Sequence, residues 1–280
     1  LIGVSPAYFI SRYSNEFTPS EVAEGLAEIR QMGYEGFQLE VYHRRNIKLW
    51  LEGGTQLVSQ RAHDLGLKPT QFVAHFMMAA FANSANLMSD LGLAEMEAVL
   101  DIVSRFEACR IITAPLSAFE IQGIASAQDF RGYFSRCLEK IGRMLEMVET
   151  AGYRLALEIM PFAIIGGIDG FMRLCDHLGT DSLGLNFDTG HSWSAKENIY
   201  LIPAKLDQQI LGTHLCDNFG HENLSLPPGA GSIDWPQIMA GLNAAGYRGS
   251  FDIEIVCQPE AVRQQYSEGR TYIETLIAKV

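Results

Sequence analysis

The 280 residues, 48% hydrophobic and 19% charged, suffice for one large α/β core and contain no apolar run near the roughly 18 residues of a membrane span. A net charge of −12 excludes a protein that grips a nucleic-acid backbone, because that grip comes from clustered Lys and Arg. Five scattered cysteines without C-x-x-C spacing exclude a disulfide framework or zinc ribbon and read as reduced thiols of a cytoplasmic protein; the chain begins at Leu1, so any leader would already be missing.

Ile2 to Ser5 is the first strand candidate. Thr18-Pro19-Ser20-Glu21 then predicts a helix start, with the Thr hydroxyl as cap, Pro in the first turn and Glu21 returning the bond. Val22, Leu26, Ile29 and Met32 follow at helical spacing, Gly33 supplies the stop, and Phe37 to Val41 alternates as a strand. Strands are next expected at Gln71 to His75 and Ile111 to Ala114, separated by the helical pattern Leu93 to Phe106. After the helical stretch Phe130 to Val148, Ala151-Gly152-Tyr153 leads into the strand Leu155 to Glu158. Leu183 to Asp188 and Ile210 to Leu215 are further strands, and Asn218 to Ile233 is the longest irregular stretch. Asp234-Trp235-Pro236 reads as a cap and first helical turn. Ala245-Gly246-Tyr247 repeats the earlier lead-in before Phe251 to Glu254, and a last helix runs from Pro259 to Val280, a face through which copies could associate into a homo-oligomer.

Eight strands alternating with helices imply parallel pairing through crossovers, so the fold class is α/β, a (β/α)8 TIM barrel spanning 1–280 as a single domain. An open doubly wound sheet is the competing architecture, but its central strands would be apolar on both faces. Here one parity is apolar, as in Leu155, Leu157, Leu185, Phe187 and Ile253. The other is small or polar, as in Ala156, Glu158, Asn186, Asp188, Gly212, His214, Asp252 and Glu254, and Gln38, Glu40, Gln71 and His75 obey the same parity. The polar set should face the barrel axis.

Glu158, Asp188, His214 and Glu254 therefore stand at the carboxyl ends of four successive strands, the face where barrels of this kind build active sites. A lone carboxylate at a strand end is more often a helix cap or surface ion pair. Three aimed at one axis repel unless protons or a cation compensate them, and one divalent metal ion is the simplest compensation. Three oxygen donors and an imidazole suit Mn²⁺, Mg²⁺ or Co²⁺ and also admit Zn²⁺.

Leu157-Glu158-Ile159-Met160-Pro161-Phe162, Asn186-Phe187-Asp188-Thr189-Gly190-His191, Thr213-His214-Leu215-Cys216-Asp217, Pro228 to Trp235 and Asp252-Ile253-Glu254 come in an order that resembles the xylose isomerase-like barrel superfamily over nearly the whole chain. The resemblance implies that Glu158, Asp188, His214 and Glu254 are metal ligands. It also implies that His191 contacts substrate or a further metal, and that His75 lines the pocket. Tyr8, Phe9, Tyr42 and Trp193, just past strand ends, are expected to form its apolar wall, with Glu40 supporting the site and Asp217 and His221 reaching substrate from the long loop. Against a three-zinc endonuclease, strand four ends Ile112-Thr113-Ala114-Pro115 without His, and Asn223 to Gly231 lacks an Asp-x-His pair. Gly220 stands where ketose 3-epimerases carry Arg. The expected activity is a metal-dependent sugar isomerase or epimerase acting on a small polyhydroxy carbonyl compound through an enediolate, with Glu158 and Glu254 as the catalytic acid/base pair. The alternatives are a dehydratase of the inosose or dehydroshikimate type and a non-catalytic carbohydrate-binding barrel.

Overall fold

The capping box at Thr18 forms as its residue types require: Thr18 N donates to Glu21 Oε2 at 2.7 Å, and Glu21 N donates back to the Thr18 hydroxyl at 3.4 Å. It opens the helix Pro19–Gln31, which buries Val22, Leu26 and Ile29. A computed structural model describes residues 1–279; Val280, the end of the expected terminal helix, lies outside the described residues. Its strands are β1 Ile2–Val4, β2 Gly36–Glu40, β3 Lys68–Val73, β4 Ile111–Leu116, β5 Arg154–Ile159, β6 Gly184–Asp188, β7 Ile210–His214 and β8 Phe251–Ile253. Neighbours pair in parallel in the order β7-β6-β5-β4-β3-β2-β1-β8. Leu215 N donates to Asp252 O at 2.8 Å and Glu254 N to Leu215 O at 3.0 Å, which joins β7 to β8 and closes the TIM barrel.

The apolar parity packs outward as expected, with Leu155, Leu157, Leu185 and Phe187 buried under the surrounding helices. The polar parity meets across the axis: Gln71 Nε2 donates to Asn186 Oδ1 at 2.8 Å, the Thr113 hydroxyl to Gln71 Oε1 at 2.5 Å, and Gln38 Nε2 to Asp252 Oδ2 at 3.0 Å. Such a polar filling is tolerable because its members largely satisfy one another, Asp252 Oδ1 being left without a partner. It also needs room. A methyl on Gly3 would come within 1.9 Å of Asp252 Oδ1, and one on Gly212 within 2.8 Å of Gln71 Nε2.

Each strand differs from the expectation by one or more residues at an end, and two of these shifts bear on the site. Strand β3 begins earlier, at Lys68, and ends at Val73, because its register with β2 shifts between Phe37 and Leu39 and sets both Thr70 and Gln71 against Gln38. His75 consequently opens a short helical turn, His75–Met77, rather than closing the strand. Strand β8 ends at Ile253, so Glu254 is the first residue beyond it.

The long stretch after β7 is pinned rather than loose. Asp217, completely buried, accepts from Asn218 N at 2.9 Å, Gly229 N at 3.0 Å, Ile233 N at 3.2 Å and Trp235 Nε1 at 2.8 Å. This corrects the expectation that Asp217 reaches substrate: its four acceptor positions are spent on fixing the loop to the helix Trp235–Ala244. Asp234 caps that helix, as the sequence suggests, by accepting from Gln237 N. A second buried charge, Lys140, lies in the helix Ala127–Thr150 and donates to the carbonyls of Asn86 and Leu91, both at 3.0 Å, and of Ala80 at 3.5 Å. All five cysteines are unpaired, and no described helix is long and apolar enough to cross a membrane.

Candidate metal centre

The inward parity of β5, β6 and β7, and the first residue after β8, brings Glu158, Asp188, His214 and Glu254 together. His214 Nδ1 lies 3.0 Å from Glu254 Oε2, 3.3 Å from Glu158 Oε1 and 3.8 Å from Asp188 Oδ2. Donor atoms of Glu158, Asp188 and His214 stand within 4.8 Å of one another, and so do those of Asp188, Cys216 and Glu254.

Which imidazole nitrogen faces the carboxylates is decided by Gln38. Its Nε2 donates to Asp252 Oδ2 and to Thr213 O at 3.4 Å, so its Oε1 is the atom set 2.7 Å from His214 Nε2. An amide oxygen only accepts, so Nε2 carries the hydrogen and Nδ1 of the neutral ring offers its lone pair to the carboxylate cluster. Burial opposes charge on His214, but Glu158 and Glu254 outweigh it and raise the imidazole well above its usual pKa. Burial pushes the Asp188 carboxyl up, aided by the Glu254 and Glu158 charges, while Glu158 itself is held below its usual range because His214 outweighs the burial. The cluster thus demands positive charge, supplied either by protons on Asp188 and His214 or by a cation.

A divalent ion fits these residues on the chemistry of the donors and on one unsatisfied atom. Asp188 Oδ1 accepts from His191 N at 2.6 Å, but the buried Asp188 Oδ2 has no hydrogen-bond donor, the imidazole nitrogens of His191 and His214 stopping at 3.7 and 3.8 Å. Carboxylate oxygens and an imidazole nitrogen converging on one point are a set that hard and borderline divalent ions accept.

Above the cluster a cavity of about 310 Å³ opens, lined by His75, His191, Tyr42, Met160, Asn223 and Ser225 among others, with no Lys or Arg among the described lining residues. His191 Nδ1 lies 3.3 Å from Asn223 Nδ2, and Asn223 Oδ1 accepts from Ser225 N at 3.1 Å. The amide is oriented by Ser225, so His191 Nδ1 is an acceptor and its Nε2 bears a hydrogen, 3.7 Å from Glu158 Oε1. His75 Nδ1 lies 3.2 Å from Glu40 Oε1, and Tyr42 stacks on its ring at 4.1 Å. Burial works against charge on His75, but the bond to Glu40 prevails and raises its pKa.

The other expected pocket residues lie elsewhere. Tyr8 is fully buried, and its hydroxyl donates to Glu28 at 2.8 Å, away from the cavity, because Phe9 and Tyr266 hold its ring edge-on in the core. Phe9 is core too. Trp193 donates from Nε1 to the Ser232 hydroxyl at 3.0 Å on the rim and does not line the cavity. His221 lines a second, neighbouring cavity. Sequence reasoning gave Gln38 its facing but no role and passed over Asn223 and Ser225, which lie in an irregular stretch without periodicity to mark their direction.

Comparison with known proteins bears on the fold. A protein of uncharacterized function from Methanocaldococcus jannaschii is 26% identical over 145 residues, half of this chain and 49% of that protein, so the match spans about half its length. The structure of an L-ribulose 3-epimerase superposes with a TM-score of 0.75 at 18% identity, covering 99% of this chain and 94% of that one. The IolI protein with a bound zinc atom superposes with a TM-score of 0.77 at 15% identity, covering 99% and 98%. These identities speak for the fold alone. Residues 26–276 match the description of one family as a whole, and the chain belongs to it: the xylose isomerase-like TIM barrels.

Proposed function

We propose that the chain is a divalent-metal-dependent isomerase or epimerase of a small, uncharged polyhydroxy carbonyl compound. The observation that carries this reading is the convergence of Glu158, Asp188 and Glu254 on one imidazole nitrogen, within 3.8 Å, at the floor of a cavity without cationic lining. That lining disfavours a phosphorylated substrate, which needs Lys, Arg or a helix N-terminus. Glu158, Asp188, His214 and Glu254 would hold the ion, which when bound stabilises negative charge developing on adjacent substrate oxygens.

The chain's own residues supply the proton traffic. Glu158 and Glu254 enter from β5 and from the end of β8, with β6 and β7 between them. Either can take the proton from the carbon beside the carbonyl while the other returns one, as epimerisation or aldose–ketose exchange requires. Before an ion binds, both are ionised because the charged His214 outweighs their burial; the one that abstracts needs that state, and the one that returns a proton must first take it up from solvent. His75, tied to Glu40 through Nδ1, leaves Nε2 for a substrate hydroxyl. A dehydratase is the second reading, and His191 favours it: an Nε2–H fixed by Asn223 beside Glu158 is what a departing hydroxyl needs.

Incubation of the metal-loaded protein with a panel of aldoses, ketoses and keto-polyols in D₂O, followed by mass spectrometry, tests both. Isomerisation conserves mass apart from solvent deuterium, whereas dehydration loses water. Glu158→Gln and Glu254→Gln should each lower turnover by about 10²-fold or more. Full activity in both variants would sink the acid/base assignment.

A further inference from the structure

The cavity over the carboxylates is not alone at this end of the barrel. A second one, of about 610 Å³, lies between the segment after β5, the helix Thr189–Ser194 and the loop after β7. Met160 and Asn223 line both. Asn223 is also the amide that orients His191, so a molecule extending from one cavity into the other would run past that imidazole. The first cavity stands at the low end of the roughly 300–1,000 Å³ that small-molecule sites occupy, and the second in the middle of that range. A single small ring fills the first and leaves the second for something attached to it.

The lining of the second cavity says what that attachment is. Phe162 is 88% exposed, and its φ of 67° holds an aromatic residue in the left-handed region that favours glycine. An aromatic face kept in water at a backbone cost, beside Pro161 and the rim of a chamber, is a platform for an apolar ring face. The polar complement is acidic on balance. Glu197 and Glu222 line the chamber against one cation, Lys196, whose ammonium is engaged by Gly220 O. Phosphate or carboxylate would be repelled there. A neutral ring with one C–H face and a rim of hydroxyls would stack on Phe162 and donate to the carboxylates.

We propose that this chamber binds the second ring of a glycosidic substrate, whose carbonyl-bearing ring lies over Glu158, Asp188, His214 and Glu254. The inference rests on the isomerase reading for the first ring but is read out by binding alone. Isothermal titration of the metal-loaded full chain with D-glucose, cellobiose, maltose and glucose 1-phosphate measures what each attachment contributes. At least one disaccharide should bind tenfold or more tightly than D-glucose, and the phosphate no better than D-glucose. In Phe162→Ala the disaccharide-to-glucose affinity ratio should fall to within about threefold of unity, and Phe162→Trp should restore it. Equal affinity for one and two rings, no binding of any of the sugars, preference for the phosphate, or a ratio unchanged in Phe162→Ala overturns the proposal. Failure of the catalytic reading looks different: no deuterium would enter any substrate, while the two-ring preference would remain.

Discussion

An imidazole can give a cation only the nitrogen that its other partner leaves bare, and at His214 that partner is Gln38. The amide is oriented by Asp252 and Thr213, so the donor nitrogen of His214 is set by residues of β2, β7 and β8 rather than by the carboxylates it faces. Supporting residues of this kind commonly govern metal affinity by about 10–100-fold. Gln38→Leu removes the acceptor for Nε2–H, lets the other tautomer form, and should weaken Mn²⁺ or Zn²⁺ binding by that factor without unfolding the barrel. Calorimetric titration checks this; an unchanged affinity would mean that Nδ1 is not a ligand. The positions of Glu158, Asp188, His214 and Glu254 were legible in the sequence because each lies at or beside the end of a strand whose parity is readable. The direction of Tyr8 was not. It follows a strand of three residues, too short to propagate an alternation, and the hydrogen bond to Glu28 decides where the ring goes.

At the scale of elements, helices with strong terminal chemistry lie where the sequence puts them. The helix from Pro19 is set by its capping box and that from Trp235 by Asp234 and the following proline. The loop after β7 was legible only as irregular, because Asp217 makes its contacts with residues up to 18 positions away, and neither periodicity nor turn residues encode such partners. Lys140 is a similar case. A charge within an amphipathic helix is expected on its wet face, yet this one is completely buried and gathers carbonyls from the segment after β3. Its replacement by Met keeps the stem but removes the ammonium those carbonyls share, and should cost about 2–3 kcal/mol in urea unfolding. A loss below about 0.5 kcal/mol would mean that water replaces the ammonium at no net cost.

For the molecule as a whole, the barrel was legible because eight strands repeat one pattern, and a misplaced end, as at β3, does not disturb the count. The four proposed ligands come from β5 to β8 and lean on Gln38 of β2 across the closed barrel, so ion binding, where it occurs, should be linked to folding. Because binding must displace protons from Asp188 and His214, both raised above their usual values, affinity should increase with pH until the two are deprotonated. At free metal of about 100 times Kd the folded state gains about 2.7 kcal/mol. Chelation by EDTA should therefore lower Tm by several degrees, by more at pH 8 than at pH 6. A Tm indifferent to EDTA at both pH values argues that no ion is bound.

Gly3 extends this dependence to the first strand, where it lies in register with Asp252. Its missing side chain leaves space for the Asp252 carboxylate, which turns the Gln38 amide, which in turn selects the bare nitrogen of His214. Alanine there would add one methyl outside the cavity lining, and the disturbance would travel through Asp252 and Gln38 to the imidazole of His214. The first strand, which donates no side chain to the carboxylate cluster, thereby holds a veto over its chemistry.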